Sequence, residues 1–230
     1  MKGIIRLAAL ALAALLMLCG CAGESSSGGE GYEWELSDDG LLNITGTGAM
    51  PDMSAGKAPW YGERERIVRI GISEGITEIG SGAFAGCTAL TSAEIPESVR
   101  AIGDNAFCGC RSLKEITLPD SVEQLGTGVF WDCAELETAR VGRGVKELPY
   151  NCFCRCGKLK SVTLSEGLEA LGDCAFEYCS GLDEIIIPSG VTRFGGSVFS
   201  CCGELTLIAP AGSAAEKYAQ KNGHGFRAAE

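Results

Sequence analysis

The sequence is poor in the residues that most catalytic and metal sites require. It contains a single histidine, His224, in the string KNGHGF near the C-terminus. Catalysis by a serine or cysteine nucleophile needs a base held rigidly beside it, and a terminal histidine with no orienting acid does not meet that need. The chain also has no phosphate-binding glycine loop and no paired-histidine metal motif. We therefore expect no enzymatic activity, no catalytic residue, no metal and no cofactor.

Positive charge is also scarce. Lys and Arg number 19 against 30 Asp and Glu, which gives a formal net charge of −11. Nucleic acids and anionic lipid surfaces attract proteins through clustered cations. Neither class is an expected partner of this chain, and its many carboxylates are expected on an open surface without a cleft.

Long apolar runs are missing except at the N-terminus. Residues 1–20 carry Lys2 and Arg6 and then the run LAALALAALLML, which is typical of a secretory signal and too short to span a membrane with these flanks. The string LCGC ending at Cys21 resembles a bacterial lipobox, in which cleavage precedes this cysteine and its sulfur takes a diacylglycerol. A plain signal peptide cleaved nearby is the alternative. Residues 21–31 then form the lipidated cysteine and a flexible linker.

What the sequence does contain is a strict period of 23 residues. A cysteine marks each period and a phenylalanine precedes it by three positions. These two columns are Cys87, Cys110, Cys133, Cys156, Cys179 and Cys202, and Phe84, Phe107, Phe130, Phe153, Phe176 and Phe199. A fixed period of this length marks a stack of identical units, and residues 67–204 hold six of them without insertion.

The apolar columns predict how each unit folds. With Ile67 as position 1 of the first repeat, positions 4 and 6 alternate as apolar and β-branched residues, which indicates a short strand with one buried face. Glycine at position 14 marks a second turn, and Pro149 replaces it once. Stacked coils would pair these strands in parallel at about 4.8 Å. We therefore predict a repeat solenoid with short parallel strands and an irregular or short helical convex side.

The repeated string L-x-x-I-x-I-P-x-x-V-x-x-I-G-x-x-A-F-x-x-C resembles the leucine-rich repeat of BspA-like bacterial surface proteins. All six copies carry it. The resemblance implies a right-handed leucine-rich-repeat solenoid of the α/β type. It also implies a surface protein without enzymatic activity that binds other macromolecules.

Both ends of the stack have candidate caps. Residues 32–66 alternate apolar residues around the turn SDDG, which predicts a β-hairpin over the first coil, and Trp60 is expected to plug the same end. Residues 205–230 contain the capping box Ser213 to Glu216, which predicts a short helix over residues 214–221 against the last coil.

The thirteen cysteines do not predict a disulfide framework. Loss of Cys19 with the signal and use of Cys21 for lipid leave an odd number, and neighbours in the main column are too far apart for the Cβ separation of about 3.8 Å in a disulfide. A buried ladder of free thiols is the preferred interpretation. The remaining cysteines are Cys108, Cys152, Cys154, Cys174 and Cys201. Three of them pair with a column cysteine, as Cys108-Gly109-Cys110, Cys154-Arg155-Cys156 and Cys201-Cys202. These pairs could bind soft metals, but they lack zinc-knuckle spacing.

Residues that packing does not require are the candidates for binding a partner. On the outward sheet face they include Glu94, Thr117, Arg140 and Thr163. Exposed aromatics lie off the sheet at Trp131, Tyr150 and Tyr178. We interpret Trp131 and Tyr178 as anchors on one flank, two coils apart; isolated surface aromatics are the alternative.

These features favour a lipid-anchored protein on the extracellular face of the bacterial membrane. It would bind an extracellular protein or glycoconjugate, in adhesion or in interaction with a host or neighbouring cell. Two alternatives remain: a structural scaffold of the envelope, and an accessory protein that captures a polysaccharide.

Overall fold

In the computed structural model, which describes residues 24–27 and 31–229, each 23-residue repeat forms one coil of a solenoid. The predicted signal peptide and Cys21 lie outside these residues. Among the residues described, no helix has the length and apolar character needed to cross a bilayer. The predicted fold class is confirmed, and the strands account for most of the regular structure.

The strands follow one another in a repeating order. They are β1 (Glu24–Ser27), β2 (Tyr32–Leu36), β3 (Leu41–Gly46), β4 (Gly48–Ala49), β5 (Arg69–Ile72), β6 (Ile76–Ile79), β7 (Ser92–Glu94), β8 (Ala101–Ile102), β9 (Glu115–Thr117), β10 (Gln124–Leu125), β11 (Thr138–Arg140), β12 (Glu147–Leu148), β13 (Ser161–Thr163), β14 (Ala170–Leu171), β15 (Glu184–Ile186), β16 (Arg193–Phe194), β17 (Thr206–Ala209) and β18 (Gly225–Ala228). The helix α1 is Ala214–Asn222, and two 3₁₀ turns are Ser54–Gly56 and Tyr61–Glu63.

The first row of strands is the one that the apolar alternation predicts. Within each sheet of this row, a repeat strand pairs in parallel with the strand of the next coil, so that Ala139 lies beside Ile116 on one side and Val162 on the other. The cap strands β1, β2 and β3 pair antiparallel with one another. The row runs as β1-β2-β3-β5-β7, then β9-β11-β13, then β15-β17-β18. Because the same repeat position meets itself in every coil, its side chains form a continuous buried column.

A second row of short strands, of two residues each except β6, was not predicted. It follows repeat positions 12 and 13 and is divided into β4-β6-β8-β10 and β12-β14-β16. The division falls at the coil where Pro149 replaces glycine. At the equivalent position of the previous coil, the amide of Gly126 donates to the carbonyl of Ile102 at 2.8 Å, and a proline has no such donor.

Glycine at position 14 is required by close approach between coils. A Cβ atom on Gly126 would lie 2.3 Å from the backbone nitrogen of Asp104 in the previous coil. Four further glycines of this column meet the same crowding, with a Cβ at 1.7–2.8 Å from the preceding coil or cap: Gly80, Gly103, Gly172 and Gly195. The missing side chain, rather than an unusual backbone angle, therefore sets the distance between coils.

Replacing Gly126 by alanine is expected to destabilise the protein by about 1–3 kcal/mol, because the added methyl group forces two backbones apart. Urea denaturation gives the free energy of unfolding that checks this value. Gly62→Ala is the matched control, since a Cβ there meets nothing within 4 Å, and we expect it to stay within about 0.5 kcal/mol. Equal effects of the two substitutions would contradict the crowding argument.

The third side of each coil is a hydrogen-bonded turn segment and contains no helix. The amides of Gly128, Phe130 and Asp132 donate to carbonyls of the next coil at 2.9 Å. Left-handed backbone at positions 16 and 20 makes this pattern possible. The residues concerned are Gly82, Asn105, Gly128, Asn151, Cys174 and Ser197, and Gly86, Gly109, Asp132, Arg155, Tyr178 and Cys201. The sequence predicted a convex side that is either irregular or a short helix, and the structure has the irregular form.

The core is a stack of phenylalanine rings that runs the length of the repeats. Neighbouring rings of this column have centroids 5.1–5.5 Å apart. Trp60 continues the stack at the N-terminal end, 5.8 Å from Phe84, and its indole nitrogen donates to the carbonyl of Ala83 at 2.8 Å. At the other end Ser213 caps the N-terminus of α1, and its hydroxyl accepts from the amide of Glu216. The ring of Tyr218 on this helix meets Phe199 edge-on. The cap residues thus extend the core and cover its ends.

Candidate functional site

The cysteine column is buried and structural. The thiol of Cys133 donates to the carbonyl of Phe107 in the previous coil at 3.3 Å. The same bond, at 3.0–3.3 Å, is made by Cys110, Cys156, Cys179 and Cys202. The eleven cysteines from Cys87 to Cys202 are all free thiols. Five of the six column thiols are therefore hydrogen-bond donors between coils as well as the small apolar groups that the sequence predicts.

Burial makes Cys87, Cys110 and Cys156 poor nucleophiles. It raises the pKa of Cys87 to about 12 and holds the pKa values of Cys110 and Cys156 well above the usual range. Only the thiolate reacts or binds a metal. Of the other cysteines, Cys201 is exposed. In the described part of the chain, no group of three or more potential ligands is placed to hold a metal ion.

The single histidine belongs to the C-terminal cap. The ring of His224 stacks on Tyr218 with centroids 6.1 Å apart and meets Phe199 edge-on at the same distance. Burial lowers its pKa. These contacts are aromatic, so the ring extends the core and does not orient a nucleophile.

Trp131 and Tyr178 lie on the turn side of their coils, as the sequence predicts. Their exposed fractions are 37% and 48%. The coil between them carries Arg155, whose guanidinium carbon lies 5.6 Å from the centre of the Tyr178 ring. The electrostatic interaction with the neighbouring Cys201 side chain raises the pKa of the Tyr178 hydroxyl. We call the surface formed by Trp131, Arg155 and Tyr178 the turn flank.

Two members of the turn flank occupy strained backbone. Arg155 has φ 63° and Tyr178 has φ 60°, at the repeat position that Gly86 and Gly109 occupy in earlier coils. A left-handed conformation costs a non-glycine residue roughly 1–2 kcal/mol. Asp132 and Cys201 adopt the same conformation at this repeat position, so the strain is shared by the four later coils. Glycine would satisfy the backbone at Arg155 and Tyr178 without it.

The predicted sheet-face residues are all exposed, but they do not form one continuous row. Thr117, Arg140 and Thr163 are neighbours in the register of β9, β11 and β13. Glu94 lies on β7, which belongs to a different sheet. Arg140 is engaged by Asp120, with nitrogen and oxygen 3.1 Å apart. The sheet-face candidates and the turn flank lie on different sides of the coil.

The expectation of a surface without a cleft is wrong, because shallow cavities lie along both rows of strands. One of about 310 Å³ lies between β13 and β15, whose strands belong to different sheets. Thr163 lines it together with Lys160, Ile186 and Ile208. Ile186 is 64% exposed. It is an apolar residue at a repeat position that is polar in the four preceding coils, and this exception could have indicated the cavity from the sequence. Two further cavities lie along the second row of strands.

Comparison with known proteins agrees with the repeat and its geometry. A family model described as a BspA type leucine rich repeat region matches residues 67–206 in six copies. The structure is similar to that of a leucine rich cell surface protein from Faecalibacterium prausnitzii, at 26% identity and a TM-score of 0.62 over 82% of this chain; the chain spans 56% of that protein. It is also similar to a leucine-rich repeat protein of T. pallidum, at 25% identity and a TM-score of 0.63, over 89% of this chain and 100% of the other. No curated protein matches the chain.

Proposed function

This chain belongs to the BspA-type leucine-rich repeat family, a family of bacterial surface proteins, and from that premise we propose that it is a lipid-anchored, non-enzymatic receptor for an extracellular protein. Lys2, Arg6 and the lipobox at Cys21 support the anchor. A thioether-linked diacylglycerol provides two acyl chains, which suffice for stable attachment to the membrane. The solenoid would then present its turn flank to partners outside the cell.

One observation carries the binding role: a Trp, an Arg and a Tyr stand exposed on three successive coils. These are the three residue types most enriched at the energetic centres of protein interfaces. The apolar columns do not require them, and Arg155 and Tyr178 hold strained backbone that glycine would relieve. A cation over an aromatic ring is itself a favourable contact. The contact between Arg155 and Tyr178 therefore orders both side chains in the absence of a partner.

The experiment is capture of partners by the purified protein from a panel of extracellular matrix proteins, glycans and envelope extracts. Against a captured protein, Trp131→Ala is expected to weaken binding by at least about tenfold, as a central interface residue does. Tyr178→Asn should do the same while keeping a residue that tolerates left-handed backbone. Affinity is read by surface plasmon resonance.

Ile186→Thr is the matched control for this test, because it removes the exposed apolar group of the sheet face and leaves the turn flank intact. We expect it to change the affinity by less than twofold. Loss of binding in Ile186→Thr with unchanged binding in Trp131→Ala would move the interface to the sheet face. Recovery of envelope components alone would favour the scaffold function.

A further inference from the structure

The glycine column of the second row leaves a trench on the surface of the solenoid. Side chains at repeat positions 12 and 15 form its two walls, and the absent side chain at position 14 forms its floor. The trench is divided at the coil of Pro149 into a cavity of about 370 Å³ over the later coils and one of about 210 Å³ over the earlier coils. The same repeat thus provides two cavities that differ only in their walls.

The larger cavity combines an aromatic ring, a floor of small residues and charged groups. Its floor includes Gly172 and Gly195, Ala170 is a small residue of one wall, and Tyr150 stands at the other wall with 52% of its surface exposed. The smaller cavity has no aromatic residue; polar residues such as Asp104 and Gln124 line it. Tyr150 takes a position that is Ser81, Asp104 or Thr127 in earlier coils, so packing does not demand an aromatic there.

The charged groups of the larger cavity are held in place by the coils. Arg193 reaches Glu147 across the coil of Ala170, with nitrogen and oxygen 3.4 Å apart. One oxygen of Asp173 accepts from the amide of Gly196 at 2.7 Å, which orients the carboxylate, and an ionised carboxylate can accept several further hydrogen bonds. Carboxylates fixed in this way are strong acceptors for hydroxyl groups.

We propose that this trench binds one neutral pyranose residue of a polysaccharide or glycoconjugate. The volume lies in the range of small-molecule sites, which combine an apolar or aromatic wall with a few fixed polar groups. The C–H groups of one sugar face carry partial positive charge and suit the negative face of the Tyr150 ring, while Glu147, Asp173 and Arg193 suit its hydroxyl groups. Two carboxylates against one guanidinium disfavour an acidic sugar. The proposal does not depend on the turn flank.

Titration of the ¹⁵N-labelled purified protein with methyl glycosides tests this site by NMR. The probes are methyl β-D-glucopyranoside, methyl β-D-galactopyranoside and, as the acidic counterpart, methyl β-D-glucuronide. We expect at least one neutral glycoside to bind with a Kd on the order of 1 mM and to shift the amides of Gly172 and Gly195. The amides of Gly103 and Gly126, in the smaller cavity, should not move.

Variants of Tyr150 test whether stacking on its ring accounts for sugar binding. Tyr150→Ala is expected to weaken binding at least tenfold and Tyr150→Phe to preserve it within about threefold, since the ring and not the hydroxyl supplies the stacking surface. Trp131→Ala should leave sugar binding unchanged, which keeps this test distinct from that of the turn flank. Absence of shifts with both neutral glycosides at roughly 50 mM, equal shifts in both cavities, or tighter binding of the glucuronide would overturn the proposal.

Discussion

Raising the pH from 8 to 10 in the presence of a reducing agent is expected to unfold the protein. Burial raises the pKa of Cys87 to about 12 and holds those of Cys110, Cys133 and Cys156 higher than usual. A thiol in the unfolded chain titrates near 8.5. Above that pH the unfolded chain loses protons that the folded chain retains. The stabilising contribution is therefore complete below about pH 8.5 and decreases as the pH rises.

The magnitude follows from the number of thiols. Each contributes a slope of about 1.4 kcal/mol per pH unit, so at pH 10 each of these four thiols costs about 2 kcal/mol and together they cost about 8 kcal/mol. Net stabilities of folded domains are about 5–15 kcal/mol. A stack that is stable at neutral pH should therefore lose most or all of its stability within two pH units. Circular dichroism in a phosphine reductant follows the transition, which should reverse at pH 7.5.

A single substitution identifies the source of this effect. Urea denaturation between pH 7.5 and 9.5 gives the unfolding free energy as a function of pH. Cys133→Ala should reduce the slope by about 1.4 kcal/mol per pH unit above pH 8.5, whatever it costs at neutral pH. Cys201→Ala removes an exposed thiol and should leave the slope unchanged. Equal slopes above pH 8.5 in Cys133→Ala and in the unsubstituted protein would show that the column does not retain its protons.

The period of the sequence predicts those features of the fold in which a side chain is buried. The columns at Phe130 and Cys133 are apolar in every coil, so stacking, the core and the first row of strands follow from them. The second row could not be predicted in this way. It is held by backbone bonds such as that from Gly126 to Ile102, and a two-residue strand leaves no alternation of apolar and polar residues.

The left-handed turn positions could not be predicted from the sequence for a different reason. Glycine or asparagine marks several of them, but Cys174, Arg155 and Tyr178 occupy others, and no local propensity predicts these residues in left-handed backbone. Only comparison of whole columns across coils makes the pattern visible. The hydrogen bond from Cys133 to Phe107 was missed because it depends on the distance between coils.

Some features of the candidate binding sites could be predicted from single columns of the repeat, and others depend on the distance between coils. The exposure of Trp131 and Tyr178 could be predicted because their columns hold small or polar residues elsewhere. The trench beside Tyr150 could not, since its floor exists only where the glycines bring two coils together. Its volume depends on distances between coils, and the sequence pattern contains only the order of residues.

Replacing Phe130 by alanine is expected to lower the free energy of unfolding by about 3–5 kcal/mol. The ring is fully buried at the middle of the stack, with its centroid 5.5 Å from that of Phe107 and 5.2 Å from that of Phe153. Backbone hydrogen bonds of the turn segments, such as that from the amide of Phe130 to the carbonyl of Cys152 at 2.9 Å, hold neighbouring coils at a fixed distance, so the coils cannot close fully over the cavity. In a chain of this length the loss corresponds to a fall in Tm of roughly 6–20 °C.

The position of Phe130 adds a second expected result, because each coil contacts only its neighbours. A cavity at the middle coil weakens the coupling between the two halves, so the urea transition should broaden and its slope should fall. Phe226→Ala is the control: this ring is half-buried on the terminal strand β18, and its loss should cost less and leave the slope unchanged. A loss below about 1 kcal/mol in Phe130→Ala, or equal costs for the two variants, would mean that the aromatic column does not couple the coils.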